Sequence, residues 1–155
     1  MIPIDIPGFG HYSVRHLVLD LNGTLTLDGT LIRGVRERLE LLSENVEIHV
    51  LTADTMGRAA ATCRDLPVTL SVISKRDEVE AKKEYLQGLD RDSAAAGNGR
   101  NDAGMLEAAV LGIAIVGPEG TSLETLRNAD VMVSDINDGL DLLLFPHRLK
   151  ATLRR

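Results

Sequence analysis

The sequence has few of the features that mark secreted, membrane-spanning or nucleic-acid-binding proteins. It contains one cysteine, Cys63, so no internal disulfide can form, which is typical of a protein from a reducing cytoplasm. No run of about 18 apolar residues occurs, so no membrane-spanning helix is predicted. Residues 1–12 lack a basic region followed by a sustained apolar stretch. We therefore expect a soluble, unprocessed, cytoplasmic chain.

A basic excess is also lacking, because 17 Lys and Arg stand against 23 Asp and Glu, for a formal net charge of -6. Nucleic acids and anionic membrane surfaces attract basic proteins, so neither is an expected partner.

There is no internal repeat and no low-complexity stretch. The 155 residues, 44% of them hydrophobic, suffice for one sizeable core. We expect a single domain over residues 1–155.

Strand and helix periodicities alternate along the chain. Extended segments are predicted within 1–20, and strands at 46–52, 68–73, 93–97 (where "SAAAG" fits a helix as well), 111–117 and 130–134. Helices are predicted at 34–43, 54–64, 78–90 (with Val79, Leu86 and Leu89 inward), from Asp102, from Ser122 and in the leucine-rich C-terminal stretch. This alternation predicts a three-layer, doubly wound α/β fold with a mainly parallel sheet.

Polar residues stand at the ends of three predicted strands. Asp20 ends "HLVLD", Thr52 ends "VEIHVLT", and "GNGRND" (97–102) follows "SAAA". Alone, Asp20 would be interpreted as a turn cap before the Asn22-Gly23 turn, and Thr52 as an ordinary β-branched strand end. Since parallel strands end at one edge of a sheet, however, we expect these groups to converge. A carboxylate nucleophile, a hydroxyl that binds phosphoryl oxygens and a cation-binding loop suit phosphoryl transfer.

The ordered motifs "DLNGTLT", "LTADT", a lysine near position 82 and "GNGRNDAGML" resemble those of the haloacid dehalogenase (HAD) superfamily, and most of all the phosphorylation domain of P-type ATPases. Residues 112–144 are also similar to the P-type pattern, so the resemblance spans about residues 15–145. It implies a Rossmann-like, HAD-like fold, a phosphorylated substrate and Mg²⁺ as cofactor. Chains of this kind look like soluble P-type ATPase-like phosphatases.

The resemblance assigns a role to each matching residue. Asp20 matches the nucleophile that the family phosphorylates, and its other oxygen holds Mg²⁺. Asn22 falls where family phosphatases have an acid/base aspartate; an amide cannot shuttle a proton, so slow turnover is implied, although the Asn22 carbonyl can still bind metal. Thr52 matches the hydroxyl that binds the phosphoryl group, and Ala53 and Asn101 complete the expected phosphate-binding set.

Three lysines compete for the family's cationic position: Lys75, Lys82 and Lys83. We favour Lys82, because a helix that buries the residues at +3, +4 and +7 from it starts near the sheet edge. Asn98 matches the position of the family's metal-binding aspartate and Asp102 that of its second acidic residue, so the resemblance implies a metal site of Asp20, Asn22, Asn98 and Asp102. An amide oxygen can bind Mg²⁺ but carries no charge, so weaker affinity is expected. Hard oxygen ligands still favour Mg²⁺ over softer metals.

Other polar residues are given structural interpretations. "GPEGTS" (117–122) lacks the Gly-Lys-Ser/Thr ending of a phosphate loop, so Thr121 or Ser122 is expected to cap a helix. Asp54 is expected to cap the helix that it opens and can add to the acidic pocket. The four histidines show no metal-binding spacing and are interpreted as structural: His11, His16, His49 and His147.

The spacings between the motifs leave no room for a cap domain. A flap hairpin around residues 24–31 and one helix fit between Asp20 and Thr52. The resemblance then implies a capless member whose open site accepts a phosphorylated macromolecule or is closed by another subunit of a homo-oligomer. The ATP-binding domain of P-type ATPases is missing too, and no base pocket for ATP is visible. We expect a phosphomonoester hydrolase; the alternatives are a weak or silent phospho-ligand-binding regulator and a subunit-forming protein.

Overall fold

The computed structural model describes residues 1–54, 57–89 and 92–155. In chain order the strands are β1 (Ile2–Ile6), β2 (Gly10–Val14), β3 (His16–Asp20), β4 (Thr26–Leu27), β5 (Thr30–Leu31), β6 (Glu47–Thr52), β7 (Thr69–Val72), β8 (Ser93–Gly97), β9 (Leu111–Ile115) and β10 (Val131–Val133). The α-helices are α1 (Val35–Ser43), α2 (Arg58–Cys63), α3 (Glu78–Gln87), α4 (Ala103–Ala108), α5 (Leu123–Arg127), α6 (Ile136–Leu144) and α7 (His147–Leu153), and a short 3-10 helix (Arg100–Asp102) precedes α4.

The central sheet has six parallel strands in the order β10-β9-β8-β3-β6-β7. From β3 the chain runs outward through β6 and β7, then returns to β8 on the other side of β3 and continues outward through β9 and β10. The order therefore reverses beside β3. In open α/β sheets the carboxyl ends of the strands at such a reversal leave a crevice for ligands. Asp20, the last residue of β3, lies at this crevice.

The central strands of the sheet are buried on both faces, as the predicted three-layer α/β fold requires. Leu17 and Leu19 of β3 point into a core with α1, α2 and α6, whereas Val18 points into a second core with α3 and α4. Strands buried on both faces have continuous apolar runs, which explains "LVL" before Asp20. Cys63 is buried in the first core, as expected for a small hydrophobe.

Two antiparallel hairpins lie outside the central sheet. One pairs β1 with β2, and the other pairs β4 with β5 between Asp20 and α1. The turn of the second uses Asp28 and Gly29, which both have positive φ angles (51° and 79°). Two successive positive φ angles are typical of a tight hairpin turn whose twist suits the strands. This hairpin is the flap predicted from the sequence.

Several predicted elements differ in detail from the structure. Helix α3 buries Lys82 and Leu86, whereas Val79 is 38% exposed, so the predicted inward position of Val79 is wrong. The C-terminal stretch forms two helices with Pro146 between them. Residues 55–56, part of the predicted helix 54–64, and Asp90, the predicted end of helix 78–90, lie outside the described residues. Within the part of the chain that the structure describes, none of the helices combines the length and the apolar character needed to cross a membrane.

Helix α1 offers a matched test of this packing. Leu39 is 0% exposed and Leu41 is 53% exposed in the same helix. Leu39→Ala should lower the free energy of unfolding by about 2–5 kcal/mol, because the lost side chain leaves a cavity. Leu41→Ala should change it by less than about 1 kcal/mol, as expected for a surface site. Urea denaturation followed by circular dichroism measures both, and equal losses would contradict this packing of α1.

Candidate active site

A buried lysine lies between two carboxylates at the crevice beside β3. Lys82 of α3 places its Nζ atom 2.6 Å from Oδ1 of Asp20 and 2.6 Å from Oδ1 of Asp102. The relative exposure of Lys82 and Asp102 is 0% and that of Asp20 is 7%. Both bonds are short, charge-assisted hydrogen bonds, which are stronger than bonds between neutral groups. They join β3, α3 and the 3-10 helix after β8 at one point.

Asp102 also organises the loop that follows β8. Its Oδ2 atom accepts hydrogen bonds from the backbone amides of Asn98 (3.0 Å) and Gly99 (2.9 Å). A Cβ atom at Gly97 would collide with the Asp102 carboxylate, so the loop needs glycine at that position. Both oxygens of Asp102 are therefore engaged, and this carboxylate holds Lys82 and the loop in place.

The turn after β3 brings a hydroxyl between Asp20 and the same loop. The Thr24 hydroxyl lies 3.2 Å from Oδ2 of Asp20 and 3.2 Å from Oδ1 of Asn98 and can donate to either. Gly23 has a φ angle of 80°, and a Cβ atom there would meet the side chains of Glu119 and Asn98. Gly23 thus has the left-handed backbone expected for an Asn-Gly turn. Because it lacks a side chain, Glu119 and Asn98 can also approach it closely.

The electrostatics of the cluster follow from its burial. Burial, followed by the nearby charge of Asp102, raises the pKa of Asp20 to about 7, although Lys82 and the Thr24 hydroxyl act in the opposite direction. For Lys82, burial alone would lower the pKa. The charges of Asp20 and Asp102 outweigh that effect and raise the pKa of the ammonium group above its usual value. Lys82 is therefore charged at neutral pH and can stabilise further negative charge at Asp20.

A cavity of about 580 Å³ opens above Asp20. Its wall includes seven of the eight residues predicted as site residues, namely Asp20, Asn22, Thr52, Ala53, Lys82, Asn98 and Asn101. The eighth, Asp102, lies behind them. Among the competing lysines, Lys75 also lines the cavity, whereas Lys83 forms a partly exposed ion pair with Glu107 at 3.5 Å. The structure thus brings the predicted groups together at one edge of the sheet.

Neighbouring residues hold the cavity wall in place. The backbone amide of Asp54 donates to the Thr52 hydroxyl (3.1 Å), and Oδ2 of Asp54 accepts from the amide of Ala59 (3.0 Å) at the start of α2. The Asp54 carboxylate therefore binds a first-turn amide of α2, but Asp54 does not open the helix as predicted, because α2 begins at Arg58 directly after Gly57. Asn101 donates through Nδ2 to Oε2 of Glu78 at 2.6 Å. Ser122, not Thr121, caps α5 through the amide of Glu124.

Sequence reasoning missed three residues that take part in this arrangement. Thr24 lies inside the quoted motif "DLNGTLT", so its spacing of four residues from Asp20 could have indicated it. Glu78 and Glu119 come from other segments of the chain. No local pattern links Glu78 to Asn101 or Glu119 to Gly23, because only the packing of distant loops brings them together.

The donor atoms at the cavity fit a small hard cation. Asp20 Oδ2 and Asn98 Oδ1 lie at the same distance from the Thr24 hydroxyl, and Asn22 lines the cavity beside them. A carboxylate, an amide oxygen and a backbone carbonyl are ligands that Mg²⁺ accepts together with water. The set carries fewer charges than one built only from carboxylates. Asp102 was predicted as a fourth metal ligand, but Lys82 and the amides of Asn98 and Gly99 occupy both of its oxygens, so it would contribute through the loop that it anchors.

Curated relatives of the chain fall into two groups. An uncharacterised protein of Methanocaldococcus jannaschii is 46% identical over 79 residues, which make up 48% of this chain and 85% of that protein. A copper-exporting P-type ATPase of Staphylococcus saprophyticus is 36% identical over 110 residues, or 70% of this chain but only 13% of the ATPase. No family model matches the chain.

Solved structures include phosphatases and a second kind of transporting ATPase. The cobalt-bound deoxy-D-mannose-octulosonate 8-phosphate phosphatase of Haemophilus influenzae superposes with a TM-score of 0.72 at 13% identity, covering 92% of this chain and 94% of that one. The corresponding phosphatase of Moraxella catarrhalis, solved with magnesium, phosphate and KDO, has a TM-score of 0.67 at 16% identity and 91% coverage of both chains. A zinc-transporting PIB-type ATPase has a TM-score of 0.60 at 28% identity, over 79% of this chain and 20% of the ATPase.

Adjacent lysines in α3 allow a matched test of the buried cluster. Without metal, Lys82→Met should lower the free energy of unfolding by about 3–5 kcal/mol, because Asp20 and Asp102 are left buried without their counter-ion. Lys83→Met removes a partly exposed pair and should change it by less than about 1 kcal/mol. Chemical denaturation in a chelator measures both. Similar values for the two variants would contradict the buried position of Lys82.

Proposed function

We propose that the chain is a member of the haloacid dehalogenase superfamily and a Mg²⁺-dependent phosphomonoester hydrolase that acts through a phosphoaspartate at Asp20. The observation that carries this proposal is the contact of Asp20 with Lys82 at the floor of an open cavity. A carboxylate at a strand end, backed by a buried cation, is suited to nucleophilic attack on a dianionic group that would otherwise repel it. The fold likeness to phosphatases that act on an 8-phosphate supports the same reaction class.

The proposed reaction has two displacements at phosphorus. Asp20 attacks the phosphoryl group, the bond from phosphorus to the substrate oxygen breaks, and that oxygen leaves with a proton taken from water. A water molecule then attacks the phosphoaspartate, the bond from phosphorus to Asp20 breaks, and inorganic phosphate leaves. Lys82, the Thr52 hydroxyl, the backbone at Ala53 and the Asn101 amide would bind the phosphoryl oxygens in both steps.

We propose Asp20, the Asn22 carbonyl and Asn98 as the residues that hold Mg²⁺, with Asp102 fixing the loop that carries Asn98. The cation would supply positive charge that offsets the phosphoryl oxygens as they approach Asp20. The Thr24 hydroxyl, between Asp20 and Asn98, orients these two ligands relative to each other. Since Asn98 is neutral, the affinity for Mg²⁺ is lower than in an all-carboxylate site.

Slow turnover is part of the proposal. Asn22 lines the cavity two residues after Asp20, where the resemblance implies an acid/base aspartate, and its amide cannot transfer a proton at neutral pH. Both displacements then depend on solvent for proton transfer. A long-lived phosphoaspartate is the expected consequence.

The open cavity bears on the class of substrate. We propose that residues 1–155 form one capless domain, in which the short β4–β5 flap contributes Thr26, Asp28 and Gly29 to the cavity wall. Such a site admits the phosphorylated end of a large molecule, or it is completed by a second copy of the chain. The cationic side chains of Arg58 and Lys75 on the cavity wall are placed to bind further anionic groups of a substrate.

The second candidate function is that of a phospho-ligand-binding or regulatory protein with little or no turnover. The specific observation in its favour is the amide at both position 22 and position 98. A phosphate group could still bind to Lys82 and Thr52 without being transferred. Metal-dependent hydrolysis of a generic aryl phosphate separates this candidate from the hydrolase.

Asp20→Asn is the direct test of the nucleophile. The variant should lose Mg²⁺-dependent hydrolysis of p-nitrophenyl phosphate by at least about 10³-fold, because the amide keeps the shape of the carboxylate but cannot attack phosphorus. Asp138→Asn, on the exposed face of α6, is the control and should retain wild-type activity. Wild-type turnover in the Asp20 variant, with the fold verified by circular dichroism, would place the chemistry elsewhere.

Asn22→Asp tests whether the missing proton shuttle limits the rate. General acid-base catalysis contributes about 10²- to 10⁴-fold, so kcat at saturating Mg²⁺ should rise at least about tenfold. Saturating metal is needed because the new carboxylate adds negative charge next to Asp20. Asn45→Asp, an exposed change with the same charge, should leave kcat unaltered. If kcat does not rise although Mg²⁺ binding is intact, the regulatory candidate is the better one.

A further inference from the structure

Two histidines and a glutamate meet near the amino-terminal ends of β3 and β6, at the opposite end of the strands from Asp20. In the parallel pair of β3 and β6, His16 is the register partner of Glu47, and His49 follows two residues later on β6. Side chains two residues apart on a strand point to the same face. All three therefore project from one face, near the amino-terminal ends of two adjacent strands.

The separations of their donor atoms match a metal coordination sphere. His16 Nδ1 lies 3.1 Å from His49 Nε2 and 3.6 Å from Glu47 Oε2, and the three ligand atoms lie within 4.8 Å of one another. Ligands at about 2.0–2.1 Å from one tetrahedral ion are about 3.3 Å apart. The two measured separations fall on either side of this value. A single ion can thus reach all three side chains with small adjustments.

A further contact orients one imidazole for this role. His49 Nδ1 lies 3.0 Å from the hydroxyl of Tyr85 in α3, and Ser71 donates to the same hydroxyl at 3.2 Å. When His49 Nδ1 carries the proton and donates it to Tyr85, the lone pair of Nε2 points toward His16. Metal-binding histidines usually donate their second N–H group in this way, which holds the ring and its tautomer.

From this geometry we propose that His16, Glu47 and His49 form a binding site for a divalent transition metal of the Zn²⁺ class. Two imidazole nitrogens and one carboxylate form a recurring zinc ligand set, with water in the fourth position. His16 and His49 are buried, whereas the Glu47 side chain is 77% exposed and lines a cavity of about 430 Å³ together with His16. The metal can enter from that cavity, and Glu47 closes over it.

The site is separate from the proposed Mg²⁺ site. His16 and Asp20 stand four residues apart on β3, so their backbones are about 13 Å apart at the usual rise of a strand. The ligands also differ in chemistry, because imidazole favours Zn²⁺, Cu²⁺ or Ni²⁺ and oxygen donors favour Mg²⁺. The chain spacing of 33 residues between His16 and His49 follows no sequence signature. Strand register alone brings them together.

Zn²⁺ titration of the untagged protein by isothermal calorimetry, in excess Mg²⁺ to occupy the Asp20 site, tests this proposal. We expect one Zn²⁺ per chain in the wild type and in Asp20→Asn. Glu47→Gln and His16→Gln should each weaken binding by at least about tenfold, since even the loss of a group supporting a metal ligand costs about 10–100-fold. His147→Gln, at an exposed histidine of α7 that is not part of the His16, Glu47 and His49 cluster, should bind as the wild type does.

Three results would overturn the site. The first is no Zn²⁺ binding by the folded wild type, which would leave His16 and His49 as a hydrogen-bonded pair only. The second is unchanged affinity in Glu47→Gln, whose exposed position makes misfolding an inadequate explanation. The third is loss of binding in Asp20→Asn, which would assign the Zn²⁺ to the catalytic cavity.

Discussion

The position of one buried ammonium group governs the arrangement around Asp20. Two carboxylates, Asp20 and Asp102, share the Lys82 cation in an environment with little water, where like charges would otherwise repel strongly. The cation allows both to be close, and Asp102 in turn binds the amides of the loop after β8. A change in this ion triplet would therefore alter Asp20 and the loop that faces it together.

The parallel sheet explains why polar side chains cluster at the two ends of its strands. Asp20, Thr52 and the loop after β8 follow the carboxyl ends of their strands and present oxygen atoms to one cavity. At the other edge the β3–β6 register places two imidazoles beside a carboxylate. Helix α3 contacts both groups of side chains. Its Lys82 contacts Asp20 at the carboxyl ends of the strands, and its Tyr85 contacts His49 near their amino-terminal ends. One helix thus supports two clusters of different ligand chemistry.

Much of the fold was predictable because its signals are local. Strand-length apolar runs and helix-length amphipathic segments alternate, and most observed elements lie within a few residues of their predicted bounds. The prediction failed at Val79, which is exposed because Lys82 and Leu86 define the buried face of α3. Hydrophobic periodicity predicts apolar residues on the buried face of a helix, so it does not predict a lysine there. Its burial is explained by two carboxylates from distant segments, Asp20 at the end of β3 and Asp102 in the 3-10 helix after β8.

By itself the sequence determined the α/β class, the ordered motifs and the convergence of Asp20, Thr52 and Asn98 on one edge, since strand ends follow from local pattern and parallel topology. Helical spacing favoured Lys82 among three lysines, but only the tertiary structure decided that its ammonium group contacts Asp20 and that Asp102 anchors a loop behind the cavity wall. It also decided that His16, Glu47 and His49 are neighbours. Local periodicity specifies which face a side chain occupies, whereas contacts between distant segments depend on strand register and helix packing, which no single segment encodes.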